Sequence, residues 1–281
     1  MHIHRLQSRL EYDDHLAKQT TVLNRRLSNL VTLEKEYKDK HFSLPGFSIT
    51  AEKNVPFDVD WVYSDGEHIN WRERLMCPIT NLNNRQRASY HLYLSEMQPY
   101  SSDQVYLTEQ VTPFYHFLKN KIENLVGSEY INSEHPGGYS NPQGVRHEDL
   151  TNLSFNNESL DKIISFDCLE HIPDYKKALT ECYRALKQGG RMLLSFPFGK
   201  NLDETIVRAK ILGDGTISHL TEPEYHGDPL SKEGCLSYYT FGWDILEVLR
   251  TTGFEDVYAI LYWSDIFGYL GDEQIMFVAQ K

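Results

Sequence analysis

Three successive segments restrict the fold of this chain more than any others. Residues 160–165, with Leu160, Ile163 and Ile164, read as a buried strand. Residues 175–186 then place Ala178, Leu179, Cys182 and Leu186 on one helical face, and Met192-Leu193-Leu194-Ser195-Phe196 is almost continuously apolar. A strand that is apolar at nearly every position must be covered on both faces. Strand, helix and strand at this spacing make a unit of a parallel sheet. An α/β fold is expected, with further strands at residues 257–263 and 274–279 after a helix over residues 242–251 that Gly253 ends. Gly189 and Gly190 are expected to end the 175–186 helix as a left-handed cap.

Upstream, the character changes twice. Residues 1–42 are polar and charged, with Leu16, Leu23, Leu27, Leu30 and Tyr37 near a seven-residue rhythm. This predicts an N-terminal helix with one apolar stripe, which either packs on its own domain or makes a homodimer contact; so few heptads favour the former. Residues 43–98 carry turn signals at Pro45-Gly46, Pro56 and Asp65-Gly66 between runs rich in Phe, Val, Trp and Tyr, which predicts a small β module. Its segments Ser48-Ile49-Thr50-Ala51 and Cys77-Pro78-Ile79-Thr80 stand where a zinc ribbon carries its paired knuckles. Only Cys77 supplies a thiol, so the module resembles a ribbon without its ligands, and no metal is expected. Residues 99–281 form the α/β domain. Within it, Thr112-Pro113 predicts a capped helix start, residues 125–130 and 144–150 two strands, and Gly213-Asp214-Gly215 a hairpin turn.

The balance of 28 basic against 40 acidic residues gives a net charge of −12, which repels a phosphate backbone and argues against a nucleic-acid partner. Four cysteines without paired spacing fit a reducing compartment. With no signal-peptide core at Met1-His2-Ile3-His4-Arg5 and no membrane-length apolar run, a cytoplasmic protein without membrane contact is expected.

Open α/β sheets bind ligands beyond the carboxyl ends of their strands. Three expected strand exits here carry acids: Glu129, the pair Glu148-Asp149, and Asp167 with Glu170-His171. A carboxylate at such an exit accepts hydrogen bonds from ribose hydroxyls, as Glu129 would, or from an adenine amine, as Asp149 would. The alternative for each is a helix cap or a turn, which is preferred for Asp174.

Four ordered strings strengthen this reading. His147-Glu148-Asp149-Leu150-Thr151-Asn152-Leu153-Ser154-Phe155, Leu160-Asp161, Leu169-Glu170-His171-Ile172 and Arg184-Ala185-Leu186-Lys187-Gln188-Gly189-Gly190 resemble class I S-adenosylmethionine-dependent methyltransferases, type 11 group. The resemblance implies a Rossmann-like sheet, mostly parallel with an antiparallel last strand, and S-adenosylmethionine as cofactor. It implies Glu129 and the adjacent Tyr130 at the ribose, Asp149 and the Leu150 N–H at adenine, Ser165 and Phe166 lining the cofactor, and His171 facing the site. His171 as a satisfied core histidine is the alternative. The family's first strand ends in a glycine-rich loop, and no such string occurs between residues 100 and 145. Either that strand is deleted or the 125–130 strand serves for two.

Methyl transfer to oxygen or nitrogen benefits from a positioned base. His226, oriented by Asp228, is the candidate, with Tyr225, Tyr238 and Tyr239 as candidate pocket walls and a small molecule or saccharide as acceptor. The rival reading is a binding or scaffolding protein whose crevice has lost the cofactor. A different nucleotide-dependent enzyme is disfavoured, because no G-x-G-x-x-G follows an expected strand.

Overall fold

The chain opens with a short strand, β1 (His2–Leu6), in which only Leu6 is buried, before the long helix α1 (Arg9–Glu36). The computed structural model describes residues 1–228 and 230–281, without the side chains of residues 228, 231 and 232. The first of two units comprises Met1–Leu6, Leu10–Gln98 and Ile260–Ile275. In it α1 buries Tyr12, His15, Leu30 and Glu34, whereas Leu27 of the expected stripe is exposed. The hairpin β2 (Phe42–Ser48) and β3 (Lys53–Val59) pairs antiparallel in unbroken register from Phe42 opposite Val59 to Ser48 opposite Lys53. Its inward residues join Leu30, Ile69, Trp71, Leu75 and Cys77 in one apolar cluster.

The two segments compared with ribbon knuckles meet through hydroxyls. The Ser48 hydroxyl donates to Cys77 Sγ at 3.3 Å and lies 3.0 Å from Thr50 Oγ1, which is 3.0 Å from Thr80 Oγ1. This ring of hydroxyls and nearby backbone N–H groups lowers the Cys77 pKa although burial opposes it.

A helix not expected from the sequence, α2 (Asn84–Glu96), follows. Asn83 caps it, accepting from the Gln86 N–H while Gln86 accepts in return from the Asn83 N–H. The helix buries Asn84, Arg87, Ser89 and Glu96 beside Leu92 and Tyr93, so no apolar stripe betrays it. Arg87 is wholly buried. Its guanidinium donates to the carbonyls of Leu75, Phe267 and Gly268 and lies 3.8 Å from the Phe57 ring centre. Gly268, at φ +62°, approaches the same ring so closely that a Cβ would stand 2.6 Å from it.

The second unit comprises Gln7–Arg9, Pro99–Ala259 and Met276–Lys281. It opens with a strand the sequence reading missed, β4 (Val105–Leu107). Helix α3 (Pro113–Lys119) begins as expected, with the Thr112 hydroxyl accepting from the Tyr115 N–H. Strand β5 (Leu125–Gly127) pairs parallel with β4, and β4 pairs parallel with β6 (Leu160–Phe166). Residues 144–150 form no strand; one parallel bridge joins Glu129 and His147. Helix α4 (Tyr175–Ala185) passes directly into β7 (Leu186–Ser195), which lies parallel to β6. Gly189 and Gly190 are therefore inside a strand rather than a helix cap. Gly189 is left-handed at φ +75°, and its N–H donates to the Lys281 carbonyl.

Short pairs then extend from the sheet: β8 (Ile206–Val207), the hairpin β9 (Ala209–Ile211) and β10 (Ile217–His219), the hairpin β11 (Tyr225–Asp228) and β12 (Ser231–Leu236), and β13 (Tyr239–Thr240), which pairs with β8. Helix α5 (Asp244–Thr252) ends at Gly253, φ +122°. The last strands are β14 (Asp256–Ser264) and β15 (Tyr269–Gln280), whose far portions belong to the first unit. The sheet order is β14-β15-β7-β6-β4-β5, with β1 joining β14. β15 runs antiparallel to β7 while β7, β6, β4 and β5 are mutually parallel. This is the expected Rossmann-like methyltransferase sheet. Among the described residues, no helix is long and apolar enough to cross a membrane.

Candidate active site

The first strand is neither deleted nor merged with the second: β4 occupies the centre of the parallel sheet between β5 and β6. Its exit reads Thr108-Glu109-Gln110-Val111-Thr112, with no glycine. Side chains from neighbouring exits shape this loop instead. Glu129 Oε1 accepts from the backbone N–H of Gln110 at 2.6 Å and of Val111 at 3.0 Å. The Thr108 hydroxyl donates to Ser165 Oγ at 3.1 Å, tying the exits of β4 and β6. Close packing is enforced at Gly127, where a Cβ would lie 2.6 Å from the Glu109 carbonyl oxygen.

The 136–155 segment folds against the β5 exit through Glu148, whose side chain is wholly buried. Glu148 accepts from the Arg146 guanidinium at 2.6 Å and from the Ser154 N–H at 2.9 Å and hydroxyl at 2.5 Å. Asp149 turns the other way and is half-buried. Its Oδ1 accepts from the Thr151 N–H and hydroxyl, both at 2.8 Å, which is a turn-closing arrangement. Oδ2 takes no part in those two bonds. Leu150 is buried; Tyr130 is 57% exposed, its ring 5.3 Å from that of His147. Ser165 is buried and Phe166 half-buried, 5.8 Å from the Phe114 ring.

Beyond β6 the backbone is forced into an unusual shape. Asp167 is left-handed at φ +46°, and its Oδ1 accepts from the Ser195 hydroxyl at 3.0 Å. Strain of this kind at a strand exit is a mark of functional sites. A single 3-10 turn, Leu169–His171, then directs Glu170 inward and His171 sideways. The turn is tied to the end of β12: the Tyr238 N–H donates to the Glu170 carbonyl at 2.7 Å, and His171 Nδ1 lies 2.8 Å from the Leu236 carbonyl oxygen.

The hairpin β11–β12 brings His226 to the same place. Its Nδ1 is 3.5 Å from Glu170 Oε1, its Nε2 is 2.9 Å from Glu224 Oε1, and its ring centre is 5.0 Å from that of His171. The Glu170 carboxylate above all, then Glu224, pushes the His226 pKa up to about 9 against the effect of burial. Burial conversely raises the Glu170 pKa. The orienting acid beside His226 is therefore Glu224; the side chain of Asp228 lies outside the described residues.

Of the candidate walls, Tyr225 is exposed, whereas Tyr238 is buried and Tyr239 packs on Tyr175 and Phe241. Thr108, Gln110, Glu170 and Glu224 are the members of the site whose contacts sequence reasoning did not anticipate. Only Glu170 carried a signal, as part of the Leu169-Glu170-His171 string.

Comparisons with known proteins cover a limited span of the chain. Residues 118–194 match the family model described as a methyltransferase domain. A 50-residue stretch, 18% of this chain, is 42% identical to phosphoethanolamine N-methyltransferase 2 of Caenorhabditis elegans, covering 11% of that protein. A 53-residue stretch, 19% of this chain, is 36% identical to a protein of Mycolicibacterium smegmatis described as a probable S-adenosylmethionine-dependent methyltransferase, covering 21% of it. The chain thus matches only a small part of the length of either curated relative. Among solved structures, an S-adenosylmethionine-dependent methyltransferase from Mesorhizobium loti aligns with 69% of this chain and 98% of its own, at 14% identity and a TM-score of 0.41.

Proposed function

Since residues 118–194 belong to the S-adenosylmethionine-dependent methyltransferase domain family, we propose that the chain transfers a methyl group from S-adenosylmethionine to a small-molecule or saccharide-type acceptor. The observation that carries this reading is the convergence of three strand exits. Glu129 is bonded to the loop after β4, Thr108 of that loop to Ser165 of β6, and the bridge from Glu129 to His147 holds Asp149 alongside.

The residues fit the nucleoside half of the cofactor. Glu129 would take the ribose hydroxyls, Asp149 Oδ2 the adenine amine and the Leu150 N–H a ring nitrogen, with Ser165 and Phe166 lining the floor. At the amino-acid end, the glycine-free loop Thr108-Glu109-Gln110-Val111-Thr112 is held in place by Glu129 through the Gln110 and Val111 N–H groups. When bound, the cofactor supplies an activated methyl group. The protein's task is then to align the acceptor, which is worth about 7–11 kcal/mol of barrier. His226, held by Glu224, faces the turn carrying Glu170 and His171 and would take the acceptor's proton once its own is lost, which a pKa of about 9 places at alkaline pH. A net charge of −12 supports an acceptor other than nucleic acid.

S-adenosylhomocysteine at about a hundredfold over its dissociation constant should stabilise the protein by about 2.7 kcal/mol. The unfolding midpoint should rise by about 5–10 °C in a chain of this size. An unchanged midpoint at millimolar ligand would instead favour a scaffold, the reading suggested by the glycine-free loop. The Asp149→Ala variant should lose most of the shift, since the adenine amine then has no acceptor.

A further inference from the structure

Glu170 is the least satisfied polar side chain of the second unit. It is fully buried, yet neither carboxylate oxygen accepts a hydrogen bond. A buried carboxylate in that condition is costly unless a cation stands beside it. Two imidazole nitrogens approach it at the outer limit of hydrogen-bond distance, as ion-pair neighbours rather than well-formed hydrogen bonds: His226 Nδ1 at 3.5 Å and His171 Nε2 at 3.6 Å from the same Oε1. One donor atom from each of the three residues lies within 4.8 Å of the other two.

We propose that Glu170, His171 and His226 form a binding site for a divalent transition-metal ion of the zinc class. Three lines of geometry converge on this assignment. First, ligands at about 2.1 Å from a tetrahedral ion stand about 3.4 Å apart, close to the two separations from Glu170 Oε1, 3.5 and 3.6 Å. Second, each imidazole has its remote nitrogen engaged. His171 Nδ1–H donates to the Leu236 carbonyl at 2.8 Å and His226 Nε2–H to Glu224 Oε1 at 2.9 Å. With those nitrogens engaged, an ion that displaces the remaining ring proton would take His171 Nε2 and His226 Nδ1, the atoms nearest Glu170, as ligands, and outer partners of this kind orient metal-binding histidines. Third, the buried, unpartnered carboxylate completes a donor set of two nitrogens and one oxygen. That set suits zinc, cobalt or nickel rather than magnesium or calcium, which prefer all-oxygen shells.

Three protein ligands leave one coordination position open, as at catalytic rather than structural zinc sites. The side chains of His171 and His226 are 15% and 27% exposed, so an ion has a path in. The site stands independently of methyl transfer. If that reading also holds, the open position is where an acceptor oxygen would bind.

The full-length protein, freed of metal by dialysis against a chelator, should bind one equivalent of Zn²⁺ in calorimetry. One equivalent of Co²⁺ should give the strong visible bands of a four- or five-coordinate ion. Glu170→Gln preserves shape but removes the anionic ligand, and His226→Ala removes a ligand from a peripheral hairpin. Both should abolish stoichiometric binding. Glu224→Gln should weaken it by about 10–100-fold, as expected of an outer partner. The exposed Glu222→Gln should bind as wild type. Failure of the folded wild-type protein to take up either ion at submillimolar concentration would overturn the assignment, leaving a shared proton as the counter-charge. Undiminished binding by both His226→Ala and Glu170→Gln would overturn it equally. Neither result depends on S-adenosylhomocysteine binding, which is measured separately.

Discussion

Replacing Glu129 with alanine should weaken S-adenosylhomocysteine binding by about 10²–10⁴-fold. At the exit of β5 the carboxylate has two roles. It would accept hydrogen bonds from the ribose, each charge-assisted bond contributing about 1.5–3 kcal/mol. It also holds the backbone of the glycine-free loop through the N–H groups of Gln110 and Val111. Alanine would leave both of those donors without this acceptor and let the loop move into the space beside β4. Glutamine keeps the shape and one acceptor oxygen, so Glu129→Gln should lose less, about 10-fold, and the gap between the variants isolates the charge. Isothermal calorimetry on protein with an unchanged circular dichroism spectrum is the measurement. Equal affinity in wild type and Glu129→Ala would mean that no ribose meets this carboxylate.

Arg87→Ala should destabilise the first unit by about 4 kcal/mol. The substitution deletes a wholly buried side chain over the Phe57 ring, and a cavity of that kind costs about 2–5 kcal/mol. It also removes the shared donor of the Leu75, Phe267 and Gly268 carbonyls. Burial draws the Arg87 pKa down to about 10, so the group is still charged at neutral pH. Lysine cannot reproduce the planar fork that meets three acceptors at once, and Arg87→Lys should cost about 2 kcal/mol. Trp61, Trp71 and Trp263 all lie in this unit and only Trp243 in the other. Tryptophan fluorescence during urea titration should therefore show the early transition, while S-adenosylhomocysteine binding at low denaturant persists. A midpoint equal to that of wild type would show that the three carbonyls find other donors.

The two predictions draw on parts of the molecule that were unequally legible in the sequence. β6, α4 and the apolar half of β7 announced themselves because continuous burial and a helical stripe leave strong periodic signals. Glycines misled at Gly189 and Gly190, where α4 enters β7 without a loop and left-handed geometry sits inside a strand. β4 escaped notice because three residues are too few to show a period, and its exit lacks the glycines that would have marked it. α2 escaped for a different reason: much of its buried face is polar, satisfied by contacts that only the folded chain provides.

The site divides in the same way. Glu129 and Ser165 could be proposed because one follows a strand and the other lies near the end of another, whereas the strand expected before Asp149 does not form. The grouping of Glu170 and His171 with His226 could not, since it depends on a hairpin folding back across a long stretch of chain. Glu224 as a neighbour of His226 was not legible either, because it stands just before β11 and meets the ring only through the local turn of the chain.

The chain of hydroxyls that links Ser48, Thr50, Thr80 and the Cys77 sulfur has an implication for handling the protein. Where relatives of a ribbon would be cross-braced by an ion, this module is cross-braced by neutral groups that EDTA cannot extract. Exhaustive demetallation should therefore leave its tertiary signature untouched and act only around Glu170. Any loss of activity on chelation would then report local chemistry and not collapse.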